Sequence, residues 1–408
     1  MRLILSDFVL VCDEGFGIIE NGGVCFDEKI IAVGDASELL AKYKDAQVER
    51  LSENSVLMPG LINSHVHLEF SANVATLKFG DFMSWLRSVI ASRDELQSEC
   101  DEEMIARTLQ DILKSGVTTI GAISSFGLDL APCVKSALNV VYFVEVIGSN
   151  PAAIDTLFDD FKARFYEAKK LKSGSFFPAI SVHSPYSTHP VLARHALDIA
   201  RAEGVQTSAH FMEAACEREW LDNGGGAMAE FMKAFNPHSK PMSSAKEFLQ
   251  LFHDTKTLFV HAVQAKDEEL DIIAGQGGSI AHCPRSNALL GTHALDIANT
   301  AKHGVGLTLG TDGLSSNISL NLWDEMRAAI FTHQNCELEG LAALLLKSAT
   351  INGAKALALN KGVLSEGYDA DIIALKLPQS PKDISQLPLQ IILRTGKAEA
   401  IYIGGVKR

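Results

Sequence analysis

The chain has 408 residues, 47% of them hydrophobic and 21% charged, so it is long enough for one large domain or two ordinary ones. Its formal net charge of -14 argues against nucleic acid or an anionic membrane as the main partner, because an acidic surface repels both. Seven cysteines without a Cys-x-x-Cys pair are typical of reduced thiols in a cytoplasmic protein. Asp7 interrupts the apolar N-terminus, which predicts a strand rather than a signal peptide, and no apolar run approaches the length of a membrane span.

Both ends of the chain have the pattern of short strands joined by tight turns. In residues 1–55, the pair Asn21-Gly22 between two apolar runs is typical of a β-hairpin. Residues 355–408 contain similar strand candidates next to glycine-rich turns. We therefore expect residues 1–55 and 355–408 to join in one small β-sandwich domain, with residues 56–354 forming a second domain between them.

The stretch 56–70 begins as an apolar segment and continues into a pair of histidines. Residues 56–62 are apolar enough for a single buried strand with a bend. His65 and His67 are two positions apart, and residues i and i+2 of a strand point to the same face. Two imidazoles on one face can bind a divalent transition metal, although two ordinary histidines in a strand are the alternative.

The middle of the chain alternates predicted helices with short apolar runs. Helical patterns cover residues 82–95, 101–114, 152–171, 190–202 and 267–274. The strand candidates after 56–62 are residues 117–123, 140–147, 178–183, 206–210, 257–261, 278–282 and 306–311. Eight strands interleaved with helices predict an α/β fold, a (β/α)8 TIM barrel. A doubly wound open sheet is the alternative, but the chain lacks the glycine-rich motifs that bind nucleotide cofactors.

Polar residues fall at the ends of the later predicted strands, where a TIM barrel carries its chemistry. After the first histidine pair, these residues are His183, His210, His261, His282 and Asp312. Each of them alone is as readily explained as a structural histidine or a turn aspartate. Gathered on one rim, they would leave many buried polar groups without a partner unless a shared metal satisfied them. The pattern therefore predicts a metal site at the carboxyl ends of the strands.

Five segments resemble motifs of the amidohydrolase superfamily, and within it the branch of nucleoside and base deaminases and chlorohydrolases. They are Pro59-Gly-Leu-Ile-Asn-Ser-His-Val-His67, His183-Ser-Pro-Tyr186, His210-Phe-Met-Glu213, His282-Cys-Pro-Arg-Ser-Asn287 and Gly310-Thr-Asp-Gly-Leu-Ser-Ser-Asn317. The resemblance covers essentially the whole chain. It implies one divalent metal ion, zinc or ferrous iron, held by His65, His67, His210 and Asp312. Binuclear members carry a modified lysine at the end of strand four, and the absence of lysine from residues 178–183 favours a single metal.

The resemblance also implies that Glu213, His261 and Asp312 are catalytic. A metal held by three imidazoles and a carboxylate lowers the pKa of water toward neutrality. Asp312 would accept a proton from that water, His261 would orient it, and Glu213 would deliver a proton to a ring nitrogen of the substrate. The alternative for Glu213 is an ordinary acidic residue at a helix N-terminus.

The expected substrate contacts come from the resemblance alone. His183 corresponds to a substrate-contacting histidine of the deaminases, and residues 78–93 look like the lid of this branch. Together with Glu213, the lid residues Trp85 and Arg87 are therefore predicted to contact a bound nucleoside. Packing of Trp85 within its helix and solvation of Arg87 are the alternatives.

Two loops narrow the expected activity. Residues 183–190 and 213–220 resemble the 6-amino-6-deoxyfutalosine deaminases, which release ammonia from 6-amino-6-deoxyfutalosine to give futalosine in menaquinone biosynthesis. The alternatives are a methylthioadenosine/S-adenosylhomocysteine deaminase, a guanine deaminase and a chlorohydrolase. The intact metal and catalytic residues argue against a non-catalytic scaffold. The expected partner is a small purine nucleoside, and the oligomeric state stays open, with a homodimer as one option.

Overall fold

The computed structural model describes the backbone of residues 1–408 and all side chains except those of Gln97 and Phe235. The first strands are β1 (Arg2–Leu10), β2 (Ile18–Phe26), β3 (Ile30–Asp35), β4 (Gln47–Arg50) and β5 (Ser55–Pro59). The barrel follows with β6 (Leu61–Val66), β7 (Val117–Ser124), β8 (Asn139–Val146), β9 (Phe176–Val182), β10 (Thr207–Phe211), β11 (Thr257–His261), β12 (Ser279–His282) and β13 (Gly306–Leu309). The last strands are β14 (Ile372–Lys376), β15 (Ala400–Ile403) and β16 (Val406–Lys407).

The predicted barrel is confirmed, and the open-sheet alternative is wrong. Strands β6 to β13 form one parallel sheet in which sequence neighbours are also spatial neighbours. Direct contacts between the first and last strands bring the sheet edges together. Ser64 Oγ donates to the Leu309 carbonyl at 2.7 Å, and the Asp312 N–H donates to the His65 carbonyl at 3.1 Å. The resulting nearly closed barrel places all strand ends on one rim.

Alternate strand residues fill the inside of the barrel. Ile62, Val141, Phe143, Leu258 and Val260 belong to one buried cluster that crosses several strands. Their neighbours along each strand instead pack outward against the helices, in a separate and larger core. This period of two decides which polar residue at a strand end can face the centre of the rim.

Most of the helices surround the barrel, and the first one packs against β2 and β3 of the terminal sheet. The helices are α1 (Ala36–Lys42), α2 (Phe82–Ala91), α3 (Arg93–Glu99), α4 (Glu102–Lys114), α5 (Leu130–Lys135), α6 (Ile154–Lys170), α7 (Pro190–Glu203), α8 (Ala215–Asn223), α9 (Gly226–Phe235), α10 (Ala245–Leu251), α11 (Asp267–Gly275), α12 (Pro284–Leu289), α13 (Ile297–Lys302), α14 (Leu322–Thr332), α15 (Leu338–Ser348), α16 (Ile351–Ala356) and α17 (Leu387–Arg394). Single 3-10 turns occur at Leu68–Phe70, Pro151–Ala153 and Ile384–Gln386. In the part of the chain that the structure describes, no helix combines the length and apolarity that a membrane crossing requires.

The single helix predicted over residues 82–95 is wrong, because two helices meet there. Helix α2 ends at Ala91, and α3 begins at Arg93 after a non-helical Ser92. Near this break, the Ser88 hydroxyl donates to the Trp85 carbonyl at 2.7 Å. Serine side chains that bond to the backbone in this way compete with the helical pattern and often bend or end a helix.

The two ends of the chain join in one mixed sheet, separate from the barrel. Its order is β16-β15-β14-β5-β1-β2-β3, with β4 paired to β1. Antiparallel pairing of β14 with β5 links the C-terminal strands to the N-terminal ones. How far the units 1–55 with 355–408, and 56–354, fold as domains stays a prediction.

The single strand predicted over residues 56–62 is wrong, because the chain changes sheets at Gly60. Strand β5 ends at Pro59 in the terminal sheet, and β6 begins at Leu61 in the barrel. A Cβ atom at Gly60 would lie 2.2 Å from Thr118 Oγ1, so only glycine fits this crossing.

A buried ion network connects the terminal sheet to the foot of the barrel. Lys361 is only 5% exposed, and its Nζ lies 3.0 Å from Asp369 Oδ2 and 3.0 Å from Asp371 Oδ2. Asn139, the first residue of β8, donates to Asp371 Oδ2 at 2.7 Å. The exposed Lys29 also pairs with Asp369, at 2.7 Å.

We predict that Lys361→Met lowers the free energy of unfolding by about 3 kcal/mol or more, because it leaves the buried Asp371 without its charged partner. Lys29→Met removes an exposed ion pair to the neighbouring Asp369 and should change the stability by less than about 1 kcal/mol. Urea denaturation of the two variants measures the difference. Equal effects of the two substitutions would contradict a structural role for the buried network.

Candidate active site

Four side chains from three places on the rim converge on one point. His65 and His67 come from the end of β6, His210 from β10, and Asp312 from the loop after β13. All four are buried, and one ligand-type atom from each lies within 4.8 Å of the others. His67 Nε2 and His210 Nε2 are 3.3 Å apart, and Asp312 Oδ1 lies 3.5 Å from Nε2 of both His65 and His67. The structure thus brings together the four residues predicted as metal ligands.

The donor set fits a divalent metal ion. Burial, with the nearby His65, lowers the pKa of His67 to about 3, and burial with the nearby His183 lowers that of His210 well below its usual range. Both rings are therefore neutral at pH 7. His210 Nδ1 lies 3.0 Å from the His183 carbonyl, which only accepts, so its lone pair is on Nε2 and faces the cluster. Both ring nitrogens of His65 are buried and unpartnered among the described residues. A shared cation would satisfy these groups.

Asp312 is held as a carboxylate by its surroundings. Ser286 Oγ and Ser316 Oγ donate to its Oδ2 at 2.7 and 2.8 Å, which leaves Oδ1 directed at the histidines. Burial would raise the pKa of Asp312, but the neighbouring imidazoles of His65, His67 and His261 interact favourably with its negative form and hold the pKa well below the usual range. Asp312 can therefore both bind a cation and accept a proton.

His261 faces the site because of an unusual backbone conformation. Leu258 and Val260 face the barrel interior, so regular alternation would turn His261 outward. Its φ of 70° lies in the left-handed region, and so does that of Ala262, at 51°. This turn brings His261 Nε2 to 3.5 Å from Glu213 Oε1, while Asn287 Nδ2 lies 3.1 Å from Nδ1 and fixes the ring. Burial lowers the pKa of His261 to about 4, so the ring is neutral at pH 7.

Glu213 is a buried carboxyl group that points at His261 and the proposed metal ligands. It forms a compact group with His261 and Asp312, whose ligand-type atoms lie within 4.8 Å of one another. Burial, with the nearby charges of Asp312 and Glu217, raises the pKa of Glu213 well above its usual range. This shift favours the protonated form of Glu213, which can donate a proton. Glu213 directly precedes Ala214, the N-cap of α8, so it also lies at a helix N-terminus, and its catalytic role stays a prediction.

Glu217, which the sequence analysis missed, holds the turn that carries Glu213. Its two carboxylate oxygens accept the N–H groups of Met212 and Glu213 at 3.2 and 2.8 Å. Met212 has a positive φ of 50°, so this turn is strained. The sequence signal is the spacing, because a carboxylate four residues after Glu213 can reach back to the N–H groups that precede a helix.

The remaining predicted contacts differ in their surroundings. The ring of His183 lies 4.9 Å from that of His210, and its Nδ1 is 2.6 Å from Ser187 Oγ, so it lies beside the cluster. Trp85 is partly buried, and its indole N–H donates to the Ser315 carbonyl at 2.8 Å, in the loop that carries Asp312. Arg87 is exposed on α2. Substrate contact by these residues stays a prediction.

The expectation that His282 joins the rim cluster is wrong. Its ring nitrogen Nε2 lies 3.0 Å from Nε2 of His333, which follows α14. On β12 the inward position is Ala281, which packs inside the barrel, and alternation turns His282 toward the helices. His282 therefore takes part in a second, separate histidine pair.

We predict that the purified protein binds one divalent ion per chain, and that His65→Ala and Asp312→Asn lose it. His282→Ala is the matched control and should retain the ion, because its ring contacts His333 instead of the cluster. Elemental analysis of protein purified from metal-replete medium gives the stoichiometry, and circular dichroism checks that each variant is folded. Two ions per chain, or none in the wild-type protein, would contradict this assignment.

Comparisons with known proteins agree with the geometry. The Amidohydrolase family model matches residues 56–407. The chain is 46% identical over 402 residues to the aminodeoxyfutalosine deaminase of a Nitratiruptor species, with 98% of each chain covered. It superposes on the crystal structure of Helicobacter pylori aminofutalosine deaminase in complex with methylthio-coformycin with a TM-score of 0.95, at 36% identity and 100% coverage of both chains.

A more distant structure shares the fold. It is an adenosine deaminase from Xanthomonas campestris with bound zinc, at a TM-score of 0.81 and 22% identity, and the match covers 100% of this chain and 92% of that one. The matched family model and the close relatives together decide the classification. The chain belongs to the amidohydrolase family.

Proposed function

We propose that this protein is a metal-dependent deaminase that converts 6-amino-6-deoxyfutalosine and water to futalosine and ammonia, as a step of menaquinone biosynthesis. The observation that carries the proposal is the grouping of two buried carboxyl groups, Glu213 and Asp312, around His261, with their pKa values shifted in opposite directions. Two titratable groups whose pKa values are pushed apart are the acid and base that hydrolytic deamination requires. The similarity to aminodeoxyfutalosine deaminases indicates the substrate.

His65, His67, His210 and Asp312 would hold one divalent ion. Imidazole and carboxylate ligands suit zinc and ferrous iron about equally, so either ion is compatible with the site. When bound, such an ion lowers the pKa of water toward neutrality, which makes water a nucleophile at physiological pH.

The protein's own side chains would move the protons. Asp312, held as a carboxylate, accepts a proton from the attacking water, and the fixed neutral ring of His261 orients that water by a hydrogen bond. The water oxygen bonds to the ring carbon that carries the amino group. Protonated Glu213 gives its proton to the adjacent ring nitrogen as negative charge develops there. Glu213 then takes the proton of the new hydroxyl group, Asp312 gives its proton to the amino nitrogen, and the carbon–nitrogen bond breaks to leave a ring carbonyl and ammonia.

The lid region supplies cations that suit an anionic substrate tail. Arg87 on α2 is exposed, and Arg93 at the start of α3 stacks over Phe126, with its guanidinium carbon 5.3 Å from the ring centroid. The benzoate-bearing tail of 6-amino-6-deoxyfutalosine would gain a charge-assisted hydrogen bond from either arginine. A methylthioadenosine-type substrate is the second candidate, because the similar H. pylori enzyme was solved with methylthio-coformycin.

We expect the wild-type enzyme to deaminate aminodeoxyfutalosine with a higher kcat/KM than methylthioadenosine or adenosine. Steady-state assays that follow loss of the adenine absorbance compare the three nucleosides side by side. Guanine and a chlorinated triazine serve as controls for the other activities of the branch. A preference for methylthioadenosine would reassign the substrate, whereas turnover of the triazine alone would overturn the deaminase proposal.

We also predict that Glu213→Gln lowers kcat by about 100-fold to 10,000-fold, because the amide keeps the shape but cannot donate the catalytic proton. The variant should retain its metal, since Glu213 is not among the proposed ligands. Parallel measurements of kcat and metal content separate the two roles. Near-normal turnover by this variant would remove Glu213 from the proton-transfer step.

A further inference from the structure

A buried carboxylate lies behind His210, one of the proposed metal ligands, and it has no part in the mechanism proposed above. Glu145 is on β8 and is only 1% exposed. The preceding residues of the same face, Val141 and Phe143, pack inside the barrel, so alternation directs Glu145 inward at the rim. An inward carboxylate at the carboxyl end of a barrel strand is in a functional position, not one that contributes only to the hydrophobic core.

The two oxygens of Glu145 have different surroundings. Oε2 accepts a hydrogen bond from Ser125 Oγ at 2.5 Å, and the Glu145 carbonyl accepts one from Arg164 at 2.9 Å, so the residue is firmly held. Oε1 is buried and has no hydrogen-bond partner among the described residues. A buried, unpartnered carboxylate oxygen is costly unless it faces a positive charge or a donor.

The group that Oε1 faces is His210. Oε1 lies 4.0 Å from His210 Nδ1, and ligand-type atoms of Glu145, His183 and His210 lie within 4.8 Å of one another. Nδ1 of His210 carries the ring proton and donates a hydrogen bond to the His183 carbonyl, while Nε2 points toward the other proposed metal ligands. Positive charge that spreads onto this imidazole from a cation at Nε2 would be stabilised by the carboxylate on the opposite side of the ring.

We propose that Glu145 is a positioning residue that acts through His210: its carboxylate, 4.0 Å from Nδ1, places negative charge behind the ring and strengthens the bond of the ring to the metal. Carboxylates behind metal-bound histidines have this effect generally, and their loss typically weakens metal binding about 10-fold to 100-fold. The inference rests on the proposed metal centre, but not on the identity of the nucleoside.

The test uses the full-length protein, stripped of metal and titrated with zinc against a chromogenic chelator. Glu145→Gln keeps the shape and removes the charge, and it should weaken zinc binding about 10-fold to 100-fold. Glu145→Asp keeps a charge at a greater distance and should fall between Glu145→Gln and the wild type. Glu269→Gln is the matched control, because Glu269 is a buried carboxylate paired with Arg218 on the outer helices, and it should leave zinc affinity unchanged.

A second readout distinguishes Glu145 from a residue that touches the substrate. Saturating zinc should restore most of the kcat of Glu145→Gln, with the KM for the nucleoside unchanged. Normal zinc affinity in Glu145→Gln, whether or not the KM rises, would overturn the proposal. Equal weakening of zinc binding in Glu269→Gln would overturn it as well. If the wild-type protein binds neither zinc nor iron, both the proposed metal centre and this inference are wrong. If the protein binds zinc but does not deaminate aminodeoxyfutalosine, the proposed substrate is wrong, and the zinc affinity of Glu145→Gln still tests the role of Glu145.

Discussion

The active site depends on one constraint, the removal of many polar groups from water at a single point. His65, His67, His210, Asp312 and Glu213 are all buried on the same rim. Burial forces each group to find a partner or to give up its charge. Burial favours the neutral imidazoles of His67 and His210 and the protonated form of Glu213, whereas Asp312 favours its ionised form because it faces the histidines and two serine hydroxyls. These protonation states are the ones that metal binding and acid–base chemistry need.

The rest of the rim holds these groups in place against local strain. Met212, His261 and Asp312 all have positive φ angles, which non-glycine residues adopt only at a cost of about 1–3 kcal/mol. Each is fixed by neighbours in the chain or in space: Glu217 binds the N–H groups at Met212 and Glu213, Asn287 contacts the ring of His261, and Ser286 binds Asp312. The strain is thus concentrated where side chains must leave the regular alternation of their strands.

Side chains that carry the same carboxyl group therefore take different roles through their surroundings. Glu213 and Asp312 are both buried carboxyl groups within 4.8 Å of a common histidine, yet the pKa of Glu213 is raised and that of Asp312 is lowered. Glu217 is a third buried carboxyl group, and it accepts hydrogen bonds from the backbone N–H groups of Met212 and Glu213. Composition and spacing cannot assign such roles, because the roles follow from which donors and charges each carboxyl group meets after folding.

The sequence alone determined the fold class, since eight apolar runs interleaved with amphipathic helices leave few arrangements besides a barrel. It also indicated most of the cluster, because polar residues that end barrel strands share a rim. Only the tertiary structure decided which way those residues face. His282 turns outward by strand alternation, whereas His261 turns inward by a left-handed backbone step, and Glu145 and Glu217 gain their roles from partners on other elements or turns. These outcomes depend on register and backbone strain that the assembled barrel imposes, and a one-residue change of register reverses the face of every side chain.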